Sequence, residues 1–445
     1  MKKILLIALL ILSLTGSIKA QTPTAQPATA IAHTTDSKST AEIRKETFEV
    51  VWRTVKDKHF DPTLGGVDWF KVRDKYEPRL ASINDNNALY VLLQEMLGEL
   101  HQSHFNIIPP EAIVPDDVKE PPNGGIGIDV RMLDGKAVIT RVEPESKAEQ
   151  AGIRSGFVIK KIENTTVEEL FERAKKRKEP IAWTNLRTMR AVLARLNGKP
   201  GESVRFTYQN DRNKEREIAL ERERLKGEMS KPLGNFPPQY TEIETKRLAG
   251  NIGYIRFNTF ALNLTDRIKA AVRSMTDTEG VIFDLRGNPG GVGGMASTIA
   301  SVLSNQSGSL GTMRMRTSEV RFVIFPQREV NLKPVVILID GASASTSEIF
   351  AGGMQELGRA VIVGERSLGA ALPSTFQKLP TGALLQFAIA DFKTPKGVLL
   401  EGRGVIPNVE VKLTRASLLQ GRDMQLEKAI EQIQKRAKSV SALSR

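Results

Sequence analysis

The chain has 445 residues, of which 40% are hydrophobic and 26% charged, and its formal net charge is +13 at pH 7. These proportions are typical of a globular protein and exclude a disordered or fibrous chain. The absence of cysteine excludes disulfides, a catalytic thiol and thiolate metal sites. The basic residues are scattered and no recognition motif accompanies them, so we expect no nucleic-acid partner. The length predicts about three domains.

The amino terminus has the pattern of a secretory signal peptide over residues 1–20. Lys2 and Lys3 precede an apolar run too short to span a bilayer, and small and polar residues follow up to Ala20, after which cleavage is expected. An uncleaved anchor is the alternative. Residues 21–40, rich in Thr, Ala, Pro and Ser, predict a disordered linker. We therefore expect an exported protein, periplasmic or secreted, with no stable membrane insertion after cleavage.

A helical cap domain is predicted over residues 41–110. Its first apolar residues recur at intervals of three and four, at Phe48, Val51, Trp52 and Val55. Two further helical stretches are indicated at 69–76 and 88–100. The second of them is followed by a polar segment with two histidines and then by a stretch with the pattern of a β-strand.

The chain contains four histidines, His33, His59, His101 and His104. His33 lies in the linker, so a general base of the imidazole type must come from the other three. The spacing of His101 and His104 is compatible with a metal pair, but no third ligand at a diagnostic spacing accompanies them. We expect neither a metal nor a cofactor.

A β-rich module is predicted over residues 121–225, with strands at 125–130, 136–142 and 157–162. Its opening turn resembles that of PDZ domains of the bacterial protease type, on the residues Gly124, Gly125, Ile126, Gly127 and Ile128. The resemblance implies that this turn receives the terminal carboxylate of a peptide. Glycines leave backbone N–H groups accessible to bind an anion, and the edge of a sheet can pair with an extended peptide as an additional strand. An ordinary glycine-rich turn is the alternative.

Apolar strands alternate with helical stretches over residues 243–415, which predicts a mostly parallel sheet with crossover helices. Two of the strands, at 280–286 and 335–340, are apolar enough to be buried on both faces. A glycine loop follows the first strand, and a serine-rich turn and a helix follow the second. Residues 416–445 predict a closing amphipathic helix.

The glycine loop and the serine-rich turn leave the carboxyl ends of their strands, where open α/β sheets place their sites. If the two strands are neighbours, N–H groups of Gly290 or Gly291 and of Thr346 can face one oxygen atom as an oxyanion hole. Glycines required only for close packing are the alternative.

Four motifs resemble, in sequence order, those of the tail-specific, carboxyl-terminal processing serine proteases: Asp-Leu-Arg-Gly-Asn-Pro-Gly-Gly at 284–291, Gly-Ala-Ser-Ala-Ser-Thr-Ser-Glu-Ile at 341–349, Gly-Arg-Ala and Val-Gly-Glu within 358–365, and Gly-Val-Ile-Pro-Asn at 404–408. The resemblance implies a multidomain α/β protein whose catalytic domain is of the ClpP/crotonase type, with Ser345 as nucleophile. The bacterial members use a lysine as general base, where this chain has Ala370. Lys378 lies nearby, but in a register that fits poorly.

A relative in the same family, the tricorn core protease, uses a Ser-His pair and a glutamate together with the nucleophile. Residues 99–104 match its Glu-Leu-x-x-Ser-His segment, and Glu401 precedes a turn like the one that follows its glutamate. The resemblance implies that His104 is the general base and that Ser103 and Glu401 orient it. Which of these two contacts the imidazole is left open.

The sequence thus predicts an exported serine endopeptidase that binds peptide or protein C-terminal tails through its PDZ-like module and hydrolyses peptide bonds. An inactive, peptide-binding envelope adaptor that has lost the family lysine is the alternative. An esterase of the α/β-hydrolase type is disfavoured, because no Gly-x-Ser-x-Gly elbow surrounds Ser345. The oligomeric state and the preferred tail are not predicted.

Overall fold

The computed structural model describes residues 39–115 and 123–443, so the predicted signal peptide and nearly all of the predicted linker lie outside the described residues. The described chain forms a mixed α/β protein with several sheets, which confirms the α/β class that the sequence predicts. None of its helices has both the length and the apolar composition needed to cross a bilayer.

The amino-terminal part is helical, as predicted. Its elements are α1 (Thr40–Lys58), α2 (Trp69–Tyr76), α3 (Asn86–Gly98) and the short strand β1 (Asn106–Ile108). Aspartate side chains cap two of the helices: Asp68 accepts the Lys71 N–H, and Asp85 accepts the Ala88 N–H. The apolar residues that predicted α1 are all buried between the helices.

The middle part contains an antiparallel sheet with three helices. Its elements are β2 (Gly124–Gly125), β3 (Ile128–Leu133), β4 (Lys136–Val142), α4 (Lys147–Gln150), β5 (Val158–Ile162), β6 (Thr165–Thr166), α5 (Val167–Lys175), α6 (Ile181–Leu196), β7 (Ser203–Gln209), β8 (Glu215–Glu221) and β9 (Glu223–Arg224). The sheet order is β3-β4-β5-β7-β8, so β3 is an edge strand, and it packs beside α6. The predicted strand at 125–130 is interrupted, because Gly127 adopts a φ of +79°.

The remaining part carries the largest apolar core. Its elements are β10 (Glu228–Met229), β11 (Tyr240–Thr241), β12 (Ile243–Leu248), β13 (Ile252–Phe257), α7 (Thr265–Arg273), β14 (Gly280–Asp284), α8 (Gly294–Ser301), β15 (Gly308–Arg314), β16 (Glu319–Ile324), β17 (Val335–Ile339), α9 (Thr346–Glu356), β18 (Ala360–Gly364), β19 (Ser374–Lys378), β20 (Leu384–Ala388), β21 (Asp391–Lys393), β22 (Val409–Glu410), α10 (Arg415–Leu419) and α11 (Met424–Leu443).

The main sheet has the order β12-β13-β14-β17-β18-β22, and all neighbours are parallel except β12 and β13. Every residue of β14 and β17 is buried, because α7, α8 and α9 pack on one face and α11 on the other. The two strands are direct neighbours, which is the condition that the proposed oxyanion hole requires. Their carboxyl ends meet at one edge of the sheet.

Two features of the chain differ from the sequence-based expectation. The closing helix is divided into α10 and α11, because Gly421 adopts a φ of +72° and its N–H donates to the Leu418 carbonyl. The exit strand β1 pairs antiparallel with β20, nearly 280 residues later. This pairing joins the helical part to the late part of the chain, and both contribute to one apolar core.

Candidate active site

Ser345 lies on the sharp turn between β17 and α9. Its φ of +55° and ψ of −119° are strained for a residue with a side chain. Two acceptors hold the Ser345 N–H: the Ala370 carbonyl at 2.8 Å and Glu348 Oε2 at 3.0 Å. A strand, a strained serine and a helix in this order expose the serine hydroxyl at the end of a sheet.

The buried carboxylate of Glu348 organises the turn. Besides the Ser345 N–H it accepts hydrogen bonds from the Ser367 hydroxyl and from the N–H groups of Gly369 and Ala370, at 2.6, 2.8 and 3.0 Å. Burial raises the pKa of Glu348 to about 7, although these donors stabilise its charged form. Glu348 therefore fixes the serine turn to residues 367–370.

Serines on either side of Ser345 tie its turn to the glycine loop after β14. The Ser343 hydroxyl donates to the Leu285 carbonyl at 2.7 Å. The Ser347 hydroxyl donates to the side chain and the carbonyl of Asn288, both at 3.0 Å. Both serines are fully buried. They are thus committed to structural hydrogen bonds, which leaves Ser345 as the candidate nucleophile.

The candidate oxyanion donors differ in their hydrogen bonds. The Gly290 N–H donates to Asn288 Oδ1 at 2.9 Å and is therefore occupied in this conformation. Among the described residues, neither the Gly291 N–H nor the Thr346 N–H has an acceptor. The Thr346 hydroxyl donates to the Gly291 carbonyl at 2.8 Å and holds these two residues together.

Ser103 bridges His104 and Glu401. The Ser103 hydroxyl lies 2.7 Å from His104 Nδ1 and donates to Glu401 Oε2 at 2.9 Å, and the Ser103 N–H donates to Glu401 Oε1 at 2.8 Å. Since the hydroxyl proton points to Glu401, the hydroxyl oxygen accepts from His104 Nδ1–H. The lone pair of the neutral ring is then on Nε2. Ser103, not Glu401, is the residue that contacts the imidazole.

Burial changes the proton affinity of two of these groups. Burial, together with the positive charge of Arg190, lowers the pKa of His104 to about 4, so the ring is neutral at pH 7. Burial raises the pKa of Glu401 above its ordinary value, although hydrogen bonds from Ser103 and Ala371 favour its charged form. A neutral imidazole that is linked to a half-buried carboxylate is suited to accept a proton.

A short path of contacts connects the serine turn to the histidine. Glu401 Oε2 also accepts the Ala371 N–H at 2.9 Å, and the preceding residue, Ala370, accepts the Ser345 N–H. Among the described residues no hydrogen bond joins the Ser345 hydroxyl to the His104 ring. Lys378, the alternative base, is exposed in β19.

The predicted peptide-binding turn uses part of its backbone internally. The Gly124 N–H donates to the Gly198 carbonyl, so it is not free to bind a carboxylate. The carbonyls of Ile126 and Gly127 accept the N–H groups of Ala148 and Glu143. The groups that remain for a ligand are those around Ile128, where β3 begins.

A cleft of about 600 Å³ runs between β3, α6 and the carboxyl edge of the main sheet; its lining includes Arg131, Met132, Leu186, Met189 and Asp340. Arg131 Nε donates to Asp340 Oδ2 at 2.6 Å, and Asp340 Oδ1 accepts the N–H groups of Gly287 and Ala342, both at 2.9 Å. Sequence reasoning missed this ion pair. Asp340, at the end of an apolar strand, was a usable signal, whereas no local pattern distinguishes Arg131.

The fold and the site define an α/β protein that presents a strained serine beside a glycine loop, at the carboxyl edge of a mainly parallel sheet. Residues 251–411 match Peptidase family S41, and residues 40–98 match the Tricorn protease C1 domain. The chain is 24% identical over 390 residues to a carboxyl-terminal-processing protease of Synechocystis sp., covering 85% of this chain and 84% of that protein. A carboxyl-terminal-processing protease of Picosynechococcus sp. is 26% identical over 366 residues, covering 80% of each.

Solved structures have a similar fold. The photosystem II D1 C-terminal processing protease aligns over 85% of this chain and 98% of its own, with a TM-score of 0.56 and 22% identity. The tricorn protease aligns over 90% of this chain and 37% of its own, with a TM-score of 0.50 and 18% identity. These structures support the fold alone. The match of residues 251–411 to Peptidase family S41 and the similarity to carboxyl-terminal-processing proteases indicate that the chain is a serine peptidase.

Proposed function

We propose that this peptidase cleaves peptide bonds near the C-terminal tails of exported proteins, with Ser345 as nucleophile and His104 as general base. The helical cap (41–110), PDZ-like module (121–225), catalytic domain (243–415) and C-terminal helix (416–445) are the parts we assign to it. The processing activity named for the relatives supports the tail specificity, and the signal-peptide pattern supports export.

The observation that carries the proposal is the bridge made by Ser103 between His104 and Glu401. It leaves His104 Nε2 unprotonated, and Glu401 also bonds the segment that holds the Ser345 N–H. A serine, a neutral imidazole and a half-buried carboxylate are the components of a hydrolytic relay. The lack of a direct Ser345–His104 hydrogen bond is compatible with this, because such bonds often tighten only when substrate binds.

In the proposed reaction, His104 Nε2 takes the proton from the Ser345 hydroxyl as its oxygen attacks the scissile carbonyl carbon. The N–H groups of Gly291 and Thr346 donate to the oxyanion, each contributing about 3 kcal/mol. The imidazolium then gives its proton to the leaving amine, and an acyl-enzyme remains on Ser345. Water, deprotonated by His104, then attacks the acyl carbon. The bond from that carbon to the Ser345 oxygen breaks, the imidazolium returns its proton to that oxygen, and the peptide acid is released. Ser103 and Glu401 stabilise the imidazolium in both steps.

Substrate recognition is assigned to β3, α6 and the turn around Ile128. The edge strand can pair with an extended peptide, and the cleft beside it is lined by apolar side chains of α6 such as Leu186 and Met189. Peptides with a free C-terminal carboxylate should therefore compete for cleavage, and the same peptides with an amidated terminus should not.

A fluorophosphonate probe tests the catalytic assignment directly. The wild-type protein should be labelled at Ser345, and Ser345→Ala should lose both labelling and cleavage. His104→Asn keeps the left-handed backbone that His104 adopts but removes the base, so its turnover should fall at least about a thousandfold, as for other positioned bases. His101→Asn is the matched control, because His101 also has a positive φ but is exposed. Wild-type protein that the probe leaves unlabelled would falsify the proposal.

A further inference from the structure

We propose that His59 is a positioning residue that holds the Ser103–His104 pair in its working geometry, an inference that rests on the function proposed above. His59 follows the end of α1 and is fully buried. It is one of the three histidines that the sequence offered as a base. Its contacts indicate that it supports His104 and is not itself the base.

Both ring nitrogens of His59 are hydrogen-bonded. Nε2 lies 2.8 Å from Gln102 Oε1, and since an amide oxygen only accepts, Nε2 carries the proton and donates. Nδ1 lies 3.0 Å from the Asp61 backbone nitrogen and 2.9 Å from the Asp61 carbonyl oxygen. Burial lowers the pKa of His59, so the ring is neutral and Nδ1 accepts the Asp61 N–H. Gln102 immediately precedes Ser103, so this bond fixes the residue before the pair.

The residue after the pair is held by the face of the same ring. The Phe105 ring stacks on His59 with a centroid distance of 5.5 Å and an angle of 10° between the planes. Phe60 stacks at 4.5 Å and 21°. His59 thus contacts Gln102 and Phe105, the two immediate neighbours of the Ser103–His104 dipeptide.

The backbone of the segment requires such support. His104 has a φ of +62° and His101 a φ of +50°, values that residues with side chains rarely adopt unless their surroundings impose them. The loop that follows His59 is itself rigid, because the Asp61 carboxylate accepts hydrogen bonds from the N–H groups of Thr63 and Gly65, both at 2.9 Å. Gly65 lies close enough to Gln102 that a Cβ there would be 3.3 Å from the amide nitrogen.

Two variants separate the hydrogen bond from the stack. His59→Phe keeps an aromatic ring against Phe105 but removes both hydrogen bonds, and His59→Gln keeps an N–H near the position of Nε2 but removes the stack. We expect His59→Phe to lower kcat and the rate of fluorophosphonate labelling about 10- to 100-fold, with KM changed less than about threefold, because the base is misplaced and the cleft is untouched. His59→Gln should recover part of the loss.

Trp69→Phe is the matched control. It removes a buried hydrogen bond from the same apolar core, the one from Trp69 Nε1 to the Trp52 carbonyl, and does not touch the histidine segment. It should lower Tm as much as His59→Phe does while leaving kcat within about twofold of the wild type. Equal losses of kcat in the two variants would reduce His59 to a core residue and overturn the inference.

Gln102→Leu removes the same hydrogen bond from its other end and keeps the test decisive if His59→Phe does not fold. The double variant, His59→Phe with Gln102→Leu, should lose no more activity than the more impaired of the two single variants, because both substitutions remove the same hydrogen bond. If the fold-loss of activity in the double variant equalled the product of the two single-variant losses, the inference would be contradicted. Normal labelling of the wild type together with normal labelling of both single variants would refute the role of His59 alone, whereas an unlabelled wild type refutes the proposed function.

Discussion

The relay from Glu401 through Ser103 to His104 predicts a specific defect for Ser103→Ala. The substitution removes one hydroxyl, which bonds the Glu401 carboxylate at 2.9 Å and the His104 ring at 2.7 Å. Glu401 keeps the N–H groups of Ser103 and Ala371, so the carboxylate should stay in place. What is lost is the connection between the negative charge and the imidazole.

The size of the defect follows from the type of bond. Hydrogen bonds to charged groups contribute about 1.5–3 kcal/mol. That stabilisation is needed most when the ring becomes an imidazolium in the transition state, so the loss should appear in kcat. With 1.36 kcal/mol for each factor of ten, kcat should fall about 10- to 150-fold, and KM should change less than about threefold.

The assay is peptide hydrolysis at saturating and limiting substrate, with thermal unfolding in parallel. Ser301→Ala is the control, because Ser301 is similarly buried and its hydroxyl also makes two hydrogen bonds, in this case with the Ser297 carbonyl and the Phe325 N–H. The control should lose stability but not kcat. Glu401→Gln should resemble Ser103→Ala, and the double variant should be little worse than either. A kcat for Ser103→Ala within twofold of the wild type would contradict the relay.

Four further predictions concern the pH dependence of activity and stability and the packing around the site. Because the pKa of His104 is lowered to about 4, kcat/KM should stay nearly constant from pH 7 to about 5 and fall towards pH 4; an inflection at pH 6.5 would contradict the burial of the ring. The same shift means that His104 binds more protons in the unfolded chain between pH 4 and 6.5, whereas the raised pKa of Glu348 acts in the opposite direction. The stability of the wild type relative to His104→Asn, measured by denaturant titration, should therefore fall by about 3 kcal/mol as the pH falls through that window. Arg131→Met leaves the Asp340 carboxylate buried without its cation and should cost about 3–5 kcal/mol in thermal unfolding, and an unchanged Tm would show that the pair is not desolvated. Gly290→Ala places a Cβ 2.7 Å from Ser345 Cβ at a φ of +97°, so kcat should fall about 100-fold, and normal turnover would mean that the loop can move away.

The sequence determined much of the local structure and nominated the reactive residues. The apolar run of β17 and the helical spacing of α1 each follow from patterns within about 20 residues. Motif order pointed to Ser345, to the Ser103–His104 pair and to Glu401. Composition alone excluded a thiol nucleophile.

Only the tertiary structure decided how these groups meet. Ser103 and Glu401 are 298 residues apart, and their contact depends on the packing of the helical part against the late strands, including the β1–β20 pairing. The glycine loop lies beside the serine turn because β14 and β17 are adjacent, and this adjacency is likewise set by the order of strands in the folded sheet. Sequence spacing could not show that Ser103 is the residue that contacts the His104 imidazole. It also could not show that His59 bonds Gln102, the neighbour of Ser103. Hydrogen-bond partners are selected by the three-dimensional packing of segments that the local sequence does not specify.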